Sequence, residues 1–231
     1  AQCLVGSEMC IRDRIRDLSG NNPVKREQHL NIIIEETDRL TQLVNDMLDL
    51  SKLESGAQKL DYSTFDIAQC MEEIVHRYEG VSERMGYHIH LTLDKFCMVR
   101  CDESKIDRVI GNLINNAINY TSKEDKQVFV TQRNLPQCVR IEVRDTGDGI
   151  EEDKIKLIFD KYYRSENHKR EVVGTGLGLS IVKEILKMHN YNYGVNSKLG
   201  EGSTFWFEIR DIVPPEQPEE DETPDAEVRQ L

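Results

Sequence analysis

Nowhere in this 231-residue chain is there an apolar run of about 18 residues, the length a membrane-crossing helix needs, and no signal-type apolar core follows a basic start. The six cysteines (Cys3, Cys10, Cys70, Cys97, Cys101 and Cys138) form no CxxC pair, and no Cys/His set has zinc-ligand spacing. They read as free thiols in a reducing compartment. Basic clusters of the kind that grip nucleic acid are missing too, which argues against a nucleic-acid partner. There is no internal repeat, and no glycine loop is followed by Gly-Lys-Ser/Thr, so a Walker-type phosphate loop is excluded.

What is present is the composition of an ordinary globular chain, 38% hydrophobic and 31% charged. The net charge of -12 is unevenly placed. Seven acids against one arginine fall between Pro214 and Leu231, and this Pro/Glu-rich tail, 213–231, is expected to be disordered. Residues 23–56 read as one long helix, with Asn22 as N-cap, Pro23 in the first turn and Gly56 at the stop. Leu30, Ile33, Thr37, Leu40, Val44 and Met47 follow 3-4-3-4 spacing, a seam for pairing with another helix. Leu43, Leu48, Leu50 and Leu53 widen it as a four-helix bundle requires. Leu18–Asn22 reads as a loop, with Ile11–Leu18 as the end of a preceding antiparallel helix.

Beyond Asp61 the periodicity alternates between 2 and 3.6. Strands are expected at Tyr62–Ile67, Tyr87–Leu93, Gln127–Arg133, Val139–Arg144, Tyr193–Ser197 and Ser203–Ile209, and helices at Ile67–Met85, Glu103–Tyr120, Glu151–Ile158 and Leu177–His189. The mixture predicts an α+β fold, a two-layer α/β sandwich with one sheet covered by helices.

Four motifs stand in order in this region: Asn112-Leu-Ile-Asn-Asn116-Ala117, Asp145-Thr-Gly147-Asp-Gly149-Ile150, Gly174-Thr175-Gly176-Leu177-Gly178-Leu179 and Gly200-Glu-Gly202-Ser-Thr204-Phe205, with Ile158-Phe-Asp-Lys-Tyr-Tyr163-Arg164 between the second and third. Asp145-Gly147-Gly149 alone would read as a surface turn. Asn112 and Asn116 lie one helical turn apart on one face. The third motif runs into a helix, whose backbone amides and dipole attract anions. Residues 165–173 read as a charged, flexible lid.

Together these motifs resemble the N, G1, F, G2 and G3 boxes of the ATP-binding domain of sensor histidine kinases, over roughly Asp61 to Ile212. The preceding Leu43–Gly56 phrase is similar to the second helix of that family's dimerisation and phosphoacceptor hairpin. The resemblance implies a Bergerat-type ATP-binding fold at 61–212, preceded at 15–58 by a truncated helical hairpin. It implies ATP and magnesium as cofactors, a response regulator receiver domain as partner, a homodimer through the hairpin and a cytoplasmic location, with any membrane attachment in a sensor region outside this chain.

Residue by residue, the resemblance implies that Asp145 accepts from the adenine amine, while Gly147, Gly149 and Ile150 let the base approach. Asn116 is the magnesium ligand, and Asn112 a nearby phosphate or metal contact. Arg164 reaches the γ-phosphate. Gly174, Thr175, Gly176, Leu177, Gly178 and Leu179 cradle phosphates through the backbone. Tyr120, Tyr163 and Thr204 border the nucleotide. Phe159 and Tyr162 are read as packing residues. Asn119 stands where many relatives carry a phosphate-binding lysine.

The family's acceptor His followed by Glu and, later, Pro is missing. His29, His76, His88, His90 and His189 read as surface or packing residues, and His168 falls in the lid. Counting back along a typical hairpin puts the acceptor just before the first residue, and residues 1–14 read as a foreign segment. Three readings follow: an ATP:protein-L-histidine phosphotransferase, another ATPase of the same superfold, or a non-phosphorylatable nucleotide-binding scaffold.

Overall fold

The computed structural model describes residues 22–80, 86–121, 126–163 and 175–214. Segment 1–14, the preceding-helix and loop expectations at 11–21, Arg164, the 165–173 lid, Gly174 and the acidic tail lie outside the described residues.

The chain enters through helix α1 (Pro23–Glu54). Asn22 caps it, its side-chain oxygen accepting from the Val24 amide at 3.0 Å and the Lys25 amide at 3.3 Å. Gly56, at φ +65°, follows the Ser55 cap and ends the helix in the left-handed region. The pairing seam faces solvent: Leu30, Leu40, Val44 and Met47 are 43–62% exposed. The last turns differ, because Leu50 and Leu53 are buried in the domain core.

The domain that follows contains β1 (Ser63–Asp66), α2 (Ile67–His76), β2 (Tyr87–Thr92), β3 (Met98–Cys101), α3 (Glu103–Tyr120), β4 (Lys126–Leu135), β5 (Cys138–Asp145), α4 (Gly178–Met188), β6 (Asn192–Lys198), β7 (Gly202–Ile209) and β8 (Ile212–Val213). Five strands form one sheet in the order β2-β4-β5-β7-β6, antiparallel except for the β2–β4 pair. A second sheet, β1-β3-β8, was not anticipated. Its β3 and β8 are four and two residues long, too short for a legible alternation.

Helices α2, α3 and α4 are amphipathic and lay Met71, Ile74, Ile110, Leu113, Ile114, Ile181 and Ile185 against Val130, Val143, Phe205 and Phe207 of the large sheet. Burying each such side chain contributes roughly 1.5–3 kcal/mol. The opposite sheet face is polar: the Arg140 guanidinium lies 4.0 Å over the Trp206 ring, 2.7 Å from Glu142 and 3.1 Å from Glu208. One apolar face and one polar face give two layers.

Local boundaries follow the caps. Asp66 accepts from the Ala68 amide at 3.1 Å, so Ile67 begins a helix rather than ending a strand. Asp102 starts α3. Its burial favours the protonated form, but hydrogen bonds from the Asp61 amide, the Ser104 hydroxyl and the Lys105 amide outweigh this and hold its carboxyl below the usual range. The helix expected at Glu151–Ile158 is instead a run of turns. The amides of Lys154, Leu157 and Asp160 each bond the carbonyl three residues back, and no continuous four-residue ladder forms. Cys70 and Cys101 are buried free thiols whose pKa values burial pushes up to about 12.

Candidate functional site

Asp145 ends β5 between β4 and β7 and is only 2% exposed. A buried carboxylate needs donors. Its Oδ1 accepts from the Gly147 amide at 2.8 Å and from the Ser203 amide at 3.2 Å. The chain then turns sharply, and glycine is required for the turn. A Cβ on Gly147 would lie 2.2 Å from the Tyr120 carbonyl oxygen. Gly149 has φ +71°, and its Cβ would meet the Lys198 carbonyl oxygen at 2.1 Å. The Ile150 amide donates to Ser197 Oγ at 2.8 Å, and Ser197 Oγ lies 2.9 Å from Ser203 Oγ. The loop is thereby hung on β6 and β7.

Above Asp145 opens a cavity of about 290 Å³, close to the lower end of small-molecule sites at roughly 300 Å³. Ile150, Ile158, Leu179, Leu199 and Phe205 supply apolar walls; Asn116, Tyr120, Lys154 and Tyr163 supply polar groups. Glu151, 2.6 Å from Lys154, holds that ammonium above its usual pKa through their hydrogen bond. Among the described residues, neither histidine nor cysteine lines the cavity.

Of the residues singled out in the sequence, Asn116, Tyr120, Asp145, Gly149, Ile150, Tyr163 and Leu179 line this one cavity. Asn112, one turn before Asn116, instead donates to the Gly178 carbonyl at 3.5 Å and ties α3 to α4. Asn119 is exposed. Leu177 is fully buried in the core. Gly176 has its carbonyl bonded by the Tyr162 amide at 3.1 Å, and Gly178 opens α4. Thr204 shares a strand with cavity-lining Ser203 and Phe205, and strand alternation points it to the other sheet face. Thr175 bonds to α1 through Asp46 at 3.1 Å. No side chain caps the N-terminus of α4, which leaves that end suited to an anion.

Phe159 packs as expected, edge-on to Tyr193 with ring centroids 5.3 Å apart. Tyr162 does not: it is 56% exposed, at φ +60°. The cavity residues that sequence reading missed are Asp148, Glu151, Lys154, Ile158, Leu199, Ser203 and Phe205. Of these, Ser203 and Phe205 carried a signal, the alternation of β7 beside the glycine turn.

His189, also read as packing, is buried, with Nδ1 2.9 Å from the Ile185 carbonyl and Nε2 accepting from the Asp102 amide at 3.3 Å. It stacks on Tyr191 with centroids 5.1 Å apart.

A family model described as histidine kinase-, DNA gyrase B-, and HSP90-like ATPase matches residues 101–212, and one described as His Kinase A (phospho-acceptor) domain matches residues 6–56. Drug sensory protein A of Synechocystis sp. is 37% identical over 199 residues, covering 80% of this chain and 29% of that protein. Sensor protein kinase WalK of Staphylococcus aureus is 35% identical over 185 residues, covering 79% of this chain and 44% of that protein. The chain thus spans less than half the length of these curated relatives. Among solved structures, full-length ShkA in complex with AMPPNP superposes with a TM-score of 0.72 at 25% identity, over 88% of this chain and 42% of that one. The nucleotide-free catalytic domain of histidine kinase ThkA gives 0.58 at 26% identity, over 65% of this chain and 98% of that one.

Proposed function

The chain belongs to the sensor histidine kinases, and on that premise we propose that it takes Mg-ATP into the cavity above Asp145 and serves transfer of the γ-phosphoryl group to a histidine. The observation that carries this reading is the buried Asp145 carboxylate beneath an apolar-walled cavity. An adenine offers a flat ring for such walls and an exocyclic amine donor for such an acceptor. The glycine turn beside it lets the base come close. In support, the ShkA structure that this fold resembles carries AMPPNP, an ATP analogue.

The phosphates then extend from the cavity toward the uncapped N-terminus of α4, whose amides and dipole attract negative charge. Among the described residues no group of three His, Cys, Asp or Glu is poised for a metal. Asn116 would supply a neutral oxygen to magnesium, which keeps water and phosphate in the rest of its shell and would neutralise triphosphate charge. Arg164 is assigned to the γ-phosphate, where charge is shared during transfer.

In the reaction, a histidine imidazole attacks the γ-phosphorus in line. The bond to the β–γ bridging oxygen breaks and ADP leaves. The phosphoryl group then passes to an Asp of a response regulator. A homodimer formed through the α1 seam places the hairpin of one chain near an ATP domain.

Equilibrium binding tests the site without needing an acceptor. Mg-ATP and adenosine are expected to bind, with Mg-GTP weaker by at least about tenfold, because a guanine carbonyl would face Asp145 and leave both acceptors unpaired. Equal affinity for Mg-ATP and Mg-GTP contradicts the reading.

A further inference from the structure

Three carboxylates, Asp145, Asp148 and Glu151, line the cavity, and among its described residues Lys154 carries the only positive charge. Lys154 is held twice by Glu151: its amide donates to the Glu151 carbonyl at 3.0 Å, and its ammonium lies 2.6 Å from the Glu151 carboxylate. Its own carbonyl accepts from the Leu157 amide at 2.9 Å, which makes it the corner shared by two successive turns. The side chain is 26% exposed. An ammonium has three protons to donate, and the Glu151 contact leaves others for a ligand. Ile150 and Ile158, four residues to either side, are apolar walls of the same cavity. Lys154 therefore belongs to the wall segment that would face a base, whereas the anion-attracting helix end belongs to α4.

Asp145 reads only part of an adenine's amine edge. The exocyclic amine donates, and the ring nitrogens flanking it, N1 and N7, accept. Inside a cavity those nitrogens give up water and need a donor. Ser203 does not supply one. The Ser197 hydroxyl donates to the Gly202 carbonyl at 3.0 Å, which commits the Ser203 proton to Ser197 Oγ at 2.9 Å. We propose that Lys154 is a specificity-determining residue of this site, its ammonium donating to a ring nitrogen beside the amine that Asp145 accepts from. This rests on the ATP-site reading and deepens it. A carboxylate acceptor and an ammonium donor together match the donor and acceptor order of adenine, and Glu151 acts as the positioning residue that keeps the ammonium on the wall.

The test measures binding of free adenine, adenosine and Mg-AMPPNP to the wild type and to Lys154→Met. All three ligands carry the base, so the substitution is expected to weaken each by about the same factor, roughly fivefold. Lys154→Arg keeps a cationic donor and is expected to recover most of that loss. A loss confined to Mg-AMPPNP assigns Lys154 to phosphate, and a loss shared by adenosine and Mg-AMPPNP but not adenine assigns it to ribose. Either result overturns the proposal and leaves the nucleotide site standing, as does unchanged binding of all three. A wild-type chain that binds none of them overturns the ATP-site reading as well. A second measurement needs no variant: on the wild type, either 1-deazaadenosine or 7-deazaadenosine is expected to bind roughly fivefold more weakly than adenosine. Equal affinity for all three nucleosides also overturns the proposal.

Discussion

The Asp145 carboxylate accepts a hydrogen bond from the Ser203 amide at 3.2 Å, joining the end of β5 to the start of β7 across 58 residues of sequence. The bond fixes one carboxylate oxygen within the strand layer, beneath the cavity. Asp145→Asn keeps an oxygen for the Gly147 and Ser203 amides but removes the charge. Adenosine and Mg-ATP affinity are expected to fall by about tenfold or more, in line with hydrogen bonds to a charged group of about 1.5–3 kcal/mol. Titration calorimetry checks this, and a melting temperature close to wild type shows that the loss lies in the site.

Gly149→Ala places a methyl group 2.1 Å from the Lys198 carbonyl oxygen at φ +71°. The backbone must shift, at a cost of about 1–3 kcal/mol or more. The shift moves Ile150 and the Ser197 bond that suspends the loop. Chemical denaturation is expected to show the lost stability, and nucleotide titration a weakened site.

Burial holds the His189 imidazole below its usual pKa, although Asp102 and Asp211 favour its charged form. A folded-state pKa below the unfolded one means that the unfolded chain binds the extra proton first. The stabilising contribution is present above about pH 6.5 and is lost as pH falls from there toward the folded pKa, by at most about 1.4 kcal/mol per pH unit. His189→Gln is expected to flatten the stability profile between about pH 6.5 and 5.5 relative to wild type. Urea melts across that interval measure it, and parallel profiles would show that His189 does not titrate there.

The exposed face of α1 is the expected dimer seam. Leu40→Glu and Val44→Glu substitute residues that are 62% and 52% exposed, so the isolated chain loses little stability. Light scattering is expected to show dimers for wild type and a shift to monomer for the double variant. Monomers in both would remove the seam as an interface.

Much of the fold was legible because its signals are local. Asp102 and the apolar spacing of Ile106, Val109, Ile110, Leu113, Ile114 and Ala117 mark both the start and the buried face of α3. The alternation of β5 and β7 marks their buried residues. The three-stranded sheet was not legible, since β3 and β8 are strands only by virtue of pairing. The segment after Glu151 has helical spacing and an acidic start, yet it closes three-residue turns that bring Lys154 and Ile158 to the cavity. The site divides the same way. The glycine turns and Asn116 are visible as motifs. Lys154, Leu199 and Phe205 meet only when the segment after β5, the turn after β6 and strand β7 are brought together. The Asp46–Thr175 contact spans 129 residues and left no trace in either local pattern.

Recognition of a purine amine by Asp145 is tested most directly by a crystal structure of this chain with Mg-AMPPNP. The expected result is the adenine ring in the cavity walled by Ile150, Leu179 and Phe205, its exocyclic amine within about 3.2 Å of an Asp145 carboxylate oxygen. Adenine bound elsewhere, or bound in this cavity with its amine turned away from Asp145, would contradict it.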